Sequence, residues 1–271
     1  MTTATAPTAS SAAQTRAAAS PYHLTFARVV RSEWLKLLSL RSTWWSLAIT
    51  VALSVGISLL MASALRDFDA GFAPVMVIVM PMQFTMLVAG ILGAIAITGE
   101  YSTGMIRSTL TAEPRRGAVL VAKALVVAVV LALTTAVTYA IAVLTTAPIL
   151  KTAIDWSDPT LSWFPLLAGV FAMAMFALIG LGFGFIVRNG AGAIAATVGV
   201  LFVLPIVLSM FSFAGEGWKW IVDASAYLPM SGAQSATTAG GEDVMRGLVT
   251  LAAWPAALLL GAWASLRSRD T

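Results

Sequence analysis

The 271-residue sequence has no cysteine and a single histidine, His23. Without cysteine the chain can form no disulfide, offers no thiol nucleophile and provides no thiolate ligand for a metal. A lone histidine supplies neither a Ser–His pair nor the histidine cluster of a metal site. The sequence therefore predicts neither a catalytic nor a metal site in this chain, and enzymatic chemistry such as intramembrane hydrolysis is not expected.

Charged residues are also scarce. They make up 10% of the chain and hydrophobic residues 59%, with a mean hydropathy of +0.90. Soluble domains carry about 25% charged residues, and a soluble fold this apolar could not cover its own surface. We therefore expect an integral membrane protein. The net charge of +4 does not indicate nucleic-acid binding, because the basic residues flank apolar stretches.

Six apolar stretches are long enough to cross a bilayer as helices, which takes roughly 20 residues each. Proline lies inside three of them, at Pro81, Pro205 and Pro255, where membrane helices tolerate it as a kink. The fold class predicted is an all-α polytopic membrane protein with one transmembrane domain, 42–266. Its six spans cover about 44–65, 74–98, 120–148, 163–187, 192–213 and 247–266.

The distribution of positive charge predicts the orientation of the spans. Twelve of the 16 Lys and Arg residues lie on the side that carries both termini and the loop 99–117. Because cytoplasmic loops carry an excess of Lys and Arg, both termini are predicted to be cytoplasmic. An even number of spans agrees with this arrangement.

The segment before the first span divides in two. Residues 1–19 are rich in Ala, Thr and Ser and lack the apolar core of a secretory signal, which predicts a disordered tail. Residues 20–41 are predicted to form a basic amphipathic helix in the headgroup plane of the membrane. The alternative is a simple extension of the first span. The apolar face of the predicted amphipathic helix consists of Phe26, Val30, Trp34 and Leu37.

The segment 214–246 is rich in Trp and Gly and is too interrupted to span a membrane. It predicts an outer pair of re-entrant or interfacial helices, with an ordinary external loop as the alternative. A short cytoplasmic tail, 267–271, ends the sequence.

No source of energy is evident within the chain. The phosphate-binding pattern G-x-x-x-x-G-K-[ST] does not occur, so the sequence predicts no nucleotide site of this kind. No ionisable residue lies in the middle of a predicted span, which counts against ion-coupled transport. If this protein moves a solute uphill, the energy is expected to come from another molecule.

The loop 99–117, GEYSTGMIRSTLTAEPRRG, carries the most distinctive pattern. An acidic residue ends span two and an aromatic residue follows. A Gly, an apolar turn, a Leu, a Pro with two Arg, and a Lys opening span three come next. In this order and spacing the sequence resembles the permease subunits of ABC-2-type exporters, as does the segment 32–45. The residues that carry the loop pattern are Glu100, Tyr101, Gly104, Met105, Ile106, Leu110, Pro114, Arg115, Arg116 and Lys123.

The resemblance implies a mechanism and partners. Two permease copies would pair in a bacterial cytoplasmic membrane, and cytoplasmic ABC ATPase subunits, which bind the ATP and Mg²⁺, would dock beneath them. No cofactor is expected on this chain. A short helix in the loop would be the coupling helix that the ATPase moves, with an apolar patch of Tyr101, Met105, Ile106 and Leu110 and with Arg107, Arg115 and Arg116 facing a partner. For Arg115 and Arg116 a purely topological role is an alternative of at least equal weight.

The resemblance also implies that spans two and five line the path of the substrate and that the outer segment forms an external gate. A hydrophobic or amphipathic compound, such as a drug, an antibiotic or a lipid, is the expected cargo. A stand-alone secondary transporter or channel, or a membrane scaffold that transports nothing, is the alternative. The candidate path residues are Met80, Gln83, Phe84, Phe202, Met210 and Phe211.

Overall fold

The computed structural model describes residues 25–66, 73–213 and 215–268, and every regular element within these ranges is a helix. The predicted tail 1–19, the start of the predicted amphipathic helix and the last three residues lie outside the described part. The helices, in chain order, are α1 (Phe26–Ser39), α2 (Arg41–Leu65), α3 (Met76–Val79), α4 (Met82–Ser102), α5 (Met105–Ala112), α6 (Arg116–Thr146), α7 (Trp163–Val187), α8 (Gly190–Val198), α9 (Leu204–Met210), α10 (Lys219–Ser225), α11 (Pro229–Thr237) and α12 (Val244–Ser268).

Six helical segments of the described residues are long and apolar enough to cross a membrane. The expectation of an all-α protein with six membrane-spanning helices is thus confirmed. Five of the six segments begin or end a few residues outside the predicted bounds, and the fourth coincides with them. Their bounds are Arg41–Leu65, Met76–Ser102, Arg116–Thr146, Trp163–Val187, Gly190–Phe213 and Val244–Ser268.

Two of the three prolines coincide with breaks in a span. Pro81 separates α3 from α4, because proline lacks the N–H that a continuous helix needs. In the fifth span a π-helical segment, Gly199–Val203, precedes α9, and Pro205 lies in the first turn of α9. Pro255 lies inside α12, which continues through it.

Helix α7 is the centre of the bundle and packs against α4, α6 and α12. Its contact with α4 requires glycine on both helices. A Cβ atom on Gly180 would lie 1.9 Å from the backbone oxygen of Gly90, and one on Gly93 would lie 1.9 Å from that of Ala177. These two backbones therefore approach more closely than any larger residue would allow, as in small-residue contacts between membrane helices.

Helix α1 packs along α6. Of its predicted apolar face, Leu37 is buried and both Val30 and Trp34 pack against the core, whereas Phe26 is exposed. Val29 and Glu33 are the other buried residues of the helix. The face that meets the bundle is thus rotated from the predicted one. The position of α1 relative to a membrane surface stays a prediction.

The segment between the fifth and sixth spans contains two short helices, α10 and α11; their predicted outer position stays a prediction. Helix α11 packs against α12 and α7, and a Cβ on Gly247 would lie 2.5 Å from the oxygen of Gly232. Trp254 Nε1 donates to the carbonyl of Tyr227 at 2.9 Å. These contacts join the segment to the sixth span; its depth in a membrane stays a prediction.

Candidate functional site

The loop between spans two and three folds as the sequence predicts, into a short helix. Helix α4 ends at Ser102, and Gly104 then adopts a left-handed conformation, with φ of 71°, before α5 begins at Met105. Glycine takes this conformation without the steric cost that a Cβ brings. At the other end Glu113 is extended, as a residue before proline tends to be, and Pro114 separates α5 from α6.

Helix α5 has one buried face. Ile106 and Leu110 are buried in a cluster with Ile97, Phe185 and Leu266, from α4, α7 and α12. Ile106 and Leu110 were predicted to contact a partner protein. Their side chains instead pack within the chain itself and are not available to a partner. Of the four residues predicted to share one face, Ile106 and Leu110 do so, whereas Met105 is exposed. Helical periodicity did not indicate which surface that face would cover.

The opposite face of α5 is open. Met105 is 45% exposed, and Arg107, Ser108 and Thr111 are exposed as well. Tyr101, the remaining member of the predicted patch, is half-buried against the cluster around Ile106. The surface available to another molecule is consequently smaller and more polar than expected, with one positive charge at Arg107.

A cluster of four charged residues lies directly beneath α5. Lys123 of α6 contacts Glu33 of α1 and lies 2.8 Å from Oε1 of Glu100 at the end of α4. Lys36 of α1 lies 2.7 Å from Glu33 and 3.2 Å from the same oxygen of Glu100. Two carboxylates and two ammonium groups thus balance each other's charge, and we call these four residues the charge cluster.

The charge cluster is removed from solvent. The side chains of Glu33, Lys123 and Glu100 are 2%, 5% and 8% exposed, and that of Lys36 is 27% exposed. Buried ions need partners because their desolvation is costly, and here each acid contacts both bases. Oε2 of Glu100 has no hydrogen-bond partner among the described residues.

The two members of the cluster on α1 have shifted pKa values. Burial raises the pKa of Glu33, but the ammonium groups of Lys123 and Lys36 outweigh it, and the pKa falls below the ordinary 4.5. Burial lowers the pKa of Lys36, but the carboxylates of Glu33 and Glu100 outweigh it, and the pKa rises above 10.5. Both side chains are therefore charged at neutral pH.

The charge cluster also reaches α5 itself. Nζ of Lys36 donates to Oγ1 of Thr109 at 3.1 Å. Through this bond, α1 is connected to the middle of α5, while Glu100 and Lys123 belong to the two spans that α5 joins. A displacement of α5 would therefore act on α1, α4 and α6 together.

Two arginines connect the same region to the end of the sixth span. Arg116 donates to the carbonyl of Leu266, and Nη2 of Arg188 donates to that of Ser265 at 2.9 Å. Arginines suit the carbonyls that a helix leaves unpaired in its last turn. Arg188, in a left-handed conformation with φ of 58°, also lies over the ring of Tyr101 at 5.5 Å.

Arg115 has a local contact. Its Nε and Nη2 donate to the two carboxylate oxygens of Glu113, at 2.8 and 3.0 Å. These hydrogen bonds lower the pKa of Glu113. The pair stabilises the turn between α5 and α6 around the exposed Pro114.

The six residues predicted for a substrate path do not share one cavity. Met80 and Gln83 line a cavity of about 250 Å³ together with Gln234 and Thr237 of α11. The others lie on surfaces: Phe84 is 58%, Phe202 40% and Met210 65% exposed, and Phe211 is half-buried against Trp218 with ring centroids 5.3 Å apart. Much of the fifth span is therefore exposed on the surface of the described chain.

The sequence analysis singled out Glu100 and Lys123 but missed their partners. These partners, Glu33 and Lys36, lie on the predicted amphipathic helix, of which the sequence had indicated only the apolar face. The available signal was an acid and a base three residues apart, with Glu33 following Val29 and preceding Leu37 on the buried face. A carboxylate in the middle of an apolar stripe implies a buried basic partner.

Comparison with protein families agrees with this architecture. A family described as "ABC-2 family transporter protein" matches residues 53–219, which include five spans in whole or in part, α5, and both Glu100 and Lys123. The chain belongs to the ABC-2 transporter family. A comparison with curated proteins gave no match. As an ABC-2 family member, the chain is a multi-pass membrane subunit of an ABC transporter, and such subunits are not the catalytic ones.

Proposed function

We propose that this ABC-2 permease exports a hydrophobic or amphipathic compound and is driven by a separate ABC ATPase subunit that docks on α5. The observation that carries the proposal is the construction of α5. One face of the helix is fixed to the bundle by Ile106 and Leu110, while the other presents Met105 and Arg107 outward. A short helix held in this way can receive a force and pass it on without losing its fold.

The energy supply supports this assignment. The sequence lacks the phosphate-binding pattern of a P-loop. Glu100 and Lys123 are the charges closest to the interior of the spans. They form ion pairs with each other and with Lys36 and Glu33, at one end of the bundle. Ion-coupled transport generally requires an ionisable group at membrane depth. Hydrolysis of ATP, bound with Mg²⁺ by the partner, would supply the energy instead.

The connections around α5 provide a route for the force. ATPase closure would push on the exposed face of α5. The bond from Lys36 to Thr109 and the ion pairs of Glu100 and Lys123 would transmit the displacement to α1, α4 and α6. The bonds from Arg116 and Arg188 would extend it to α12. The spans would then change together from inward-facing to outward-facing.

The substrate path would form between two permease copies. Phe202 and Met210 on the fifth span are exposed, and the whole of α9 contains no buried residue. Apolar surface of this kind needs either lipid or a partner helix. Pairing of two chains along this span would place it at a central path. Its apolar lining favours a lipophilic compound.

The proposal can be tested by reversing the charge on the exposed face of α5. Arg107→Glu should reduce the amount of ATPase subunit that co-purifies with the permease, and should reduce ATP hydrolysis by the complex, because rim charges guide association. Arg31→Glu, on the exposed face of α1, is the matched control and should change neither. The co-purified subunit must carry its own P-loop.

Two results would contradict the proposal. One is purified permease that, without any ATPase subunit, transports its compound against a gradient, which would indicate a stand-alone transporter. The other is an Arg107→Glu protein that binds and stimulates the ATPase as well as the parent chain does. That result would remove α5 from the docking surface.

A further inference from the structure

A long apolar groove runs between α6 and α12 at the end of the bundle where α5 lies. Its volume is about 770 Å³, within the range of about 300–1,000 Å³ that is typical of ligand pockets. The lining includes Gly117, Leu120 and Ala124 of α6 and Ala256, Leu260 and Trp263 of α12. Both helices are membrane-spanning by length and composition, and the exposed lining residues Val121, Leu125 and Leu260 form an apolar surface suited to lipid.

The mouth of the groove is positively charged. The guanidinium of Arg267 lies 3.8 Å over the ring of Trp263, and that side chain in turn packs over Gly117, where a Cβ would lie 3.3 Å from Nε1. Arg116, next to Gly117 in sequence, donates to the carbonyl of Leu266, next to Arg267. The guanidinium of Arg267 thus lies beside the groove residue Trp263, and that of Arg116 lies at the carbonyl of Leu266, in the last turns of the same helix.

The lining of the groove, as far as the chain is described, contains neither Asp nor Glu. The acid nearest in sequence to Arg116 is Glu113, and it is bonded to Arg115. Arginine provides several N–H donors in a planar fork that matches phosphate geometry. Stacking on Trp263 orders the Arg267 side chain and leaves its donors accessible.

We propose that the α6–α12 groove binds an anionic phospholipid, with an acyl chain against Leu120, Ala124 and Ala256 and the phosphate at Arg116 and Arg267. The charge of the mouth favours an anionic headgroup over a zwitterionic one, and the apolar lining favours the chain. Basic residues near a membrane surface contribute about 1 kcal/mol each to binding of anionic lipid, roughly a fivefold preference. This proposal does not depend on the direction of transport or on the ATPase.

The test measures lipid retained by the purified 271-residue chain. Protein is equilibrated with equal amounts of phosphatidylglycerol and phosphatidylcholine that have identical acyl chains, freed of excess lipid, and analysed by native mass spectrometry. The parent chain should retain more phosphatidylglycerol. Arg267→Gln should lower the ratio of the two lipids by about fivefold, while the retained phosphatidylcholine stays the same.

A matched pair of variants tests the groove itself. Ala256→Phe fills it and should reduce retention of both lipids, whereas Ala257→Phe places the same ring on an exposed neighbouring position outside the lining and should leave retention unchanged. Melting temperatures verify that both variants fold. The proposal is overturned by equal retention of the two lipids by the parent chain, by an unchanged ratio in Arg267→Gln, or by normal retention in a folded Ala256→Phe protein.

Discussion

Lys123 is a buried base that contacts two buried carboxylates. These contacts decide how much stability the protein should lose when Lys123 is replaced. It is buried between Glu33 and Glu100, two acids that also share Lys36. Replacing a whole buried ionic group by apolar residues is often tolerated, but removing one partner leaves a charge without compensation. The charge cluster should therefore be sensitive to single changes and less sensitive to paired ones.

Lys123→Met should destabilise the protein by about 3–5 kcal/mol, the typical cost of breaking a buried ion pair. The double variant Glu33→Gln/Lys123→Met should recover part of this loss, because Glu100 and Lys36 then remain as a balanced pair. The measurement is the unfolding free energy in detergent for each variant. Arg31→Met, at an exposed position, is the control; additive losses in the double variant would show that the four charges do not act as one group.

The pKa shifts in the charge cluster predict a pH range for its contribution to stability. Glu33 has a lowered pKa, so its stabilisation is complete above 4.5 and is lost as the pH falls through the folded-state value below that. Lys36 has a raised pKa, so its stabilisation is complete below 10.5 and is lost above it, as the pH rises through the folded-state value. The melting temperature should depend less on pH in Glu33→Gln/Lys36→Met than in the parent chain at both extremes. Identical profiles would contradict this.

Sequence reasoning found half of the charge cluster. Glu100 and Lys123 stood out because they end and begin apolar stretches. Glu33 lies 90 residues from Lys123, and Lys36 lies 64 residues from Glu100. Contacts over such separations depend on how α1 packs along α6, which helical periodicity does not specify. The same limit explains why Ile106 and Leu110 were assigned to a partner instead of to the core.

At the scale of elements, the short helix α5 has one face that packs in the core and one face that is exposed. Ile106→Ala should destabilise the domain by about 2–5 kcal/mol, as large-to-small changes in a core do, because Ile106 is 3% exposed. Met105→Ala, at an exposed neighbouring position, should leave the melting temperature unchanged and weaken ATPase binding. Equal melting temperatures for the two variants would show that α5 is not fixed to the bundle as described.

The contact between α4 and α7 makes an equally specific prediction. Gly180→Ala should lower the melting temperature and the yield of folded protein, because its Cβ would lie 1.9 Å from a backbone oxygen of α4. Backbone cannot rotate away as a side chain does, so a cost at or above the usual 1–3 kcal/mol of overpacking is expected. Gly99→Ala is the matched control, since a Cβ there meets nothing within 4 Å. A melting temperature of Gly180→Ala equal to that of Gly99→Ala would contradict the close contact.

The ends of the helices could be predicted where the sequence changes sharply from apolar to polar or contains proline, and were harder to predict at other positions. The six spans, the short helix α5 and the break at Pro81 follow from apolar length and from proline chemistry. The structure adds the extension of α6 back to Arg116, which places Lys123 two turns inside the helix. The third span was predicted to begin at about residue 120, whereas the helix begins at Arg116, and Glu33 and Glu100 compensate the charge of Lys123 inside it.

At the scale of the whole molecule, the orientation in the membrane remains a prediction, and it rests on twelve of 16 basic residues lying on one side. Thr111 on α5 and Ser268 at the end of α12 belong to the side predicted to be cytoplasmic. Thr152, between α6 and α7, belongs to the opposite side, and both Thr111 and Thr152 are exposed. The absence of cysteine from the chain allows each to be replaced by a single, unambiguous thiol.

A membrane-impermeant maleimide applied to intact cells should label Thr152→Cys and should leave Thr111→Cys and Ser268→Cys unlabelled until the membrane is permeabilised. The reverse pattern would place α5 outside the cell, where no ATP is available to a docked ATPase, and would overturn the proposed function along with the orientation. Labelling of Thr111→Cys and Ser268→Cys on opposite sides would contradict the count of six spans instead, because four spans lie between these positions and an even number returns the chain to its starting side.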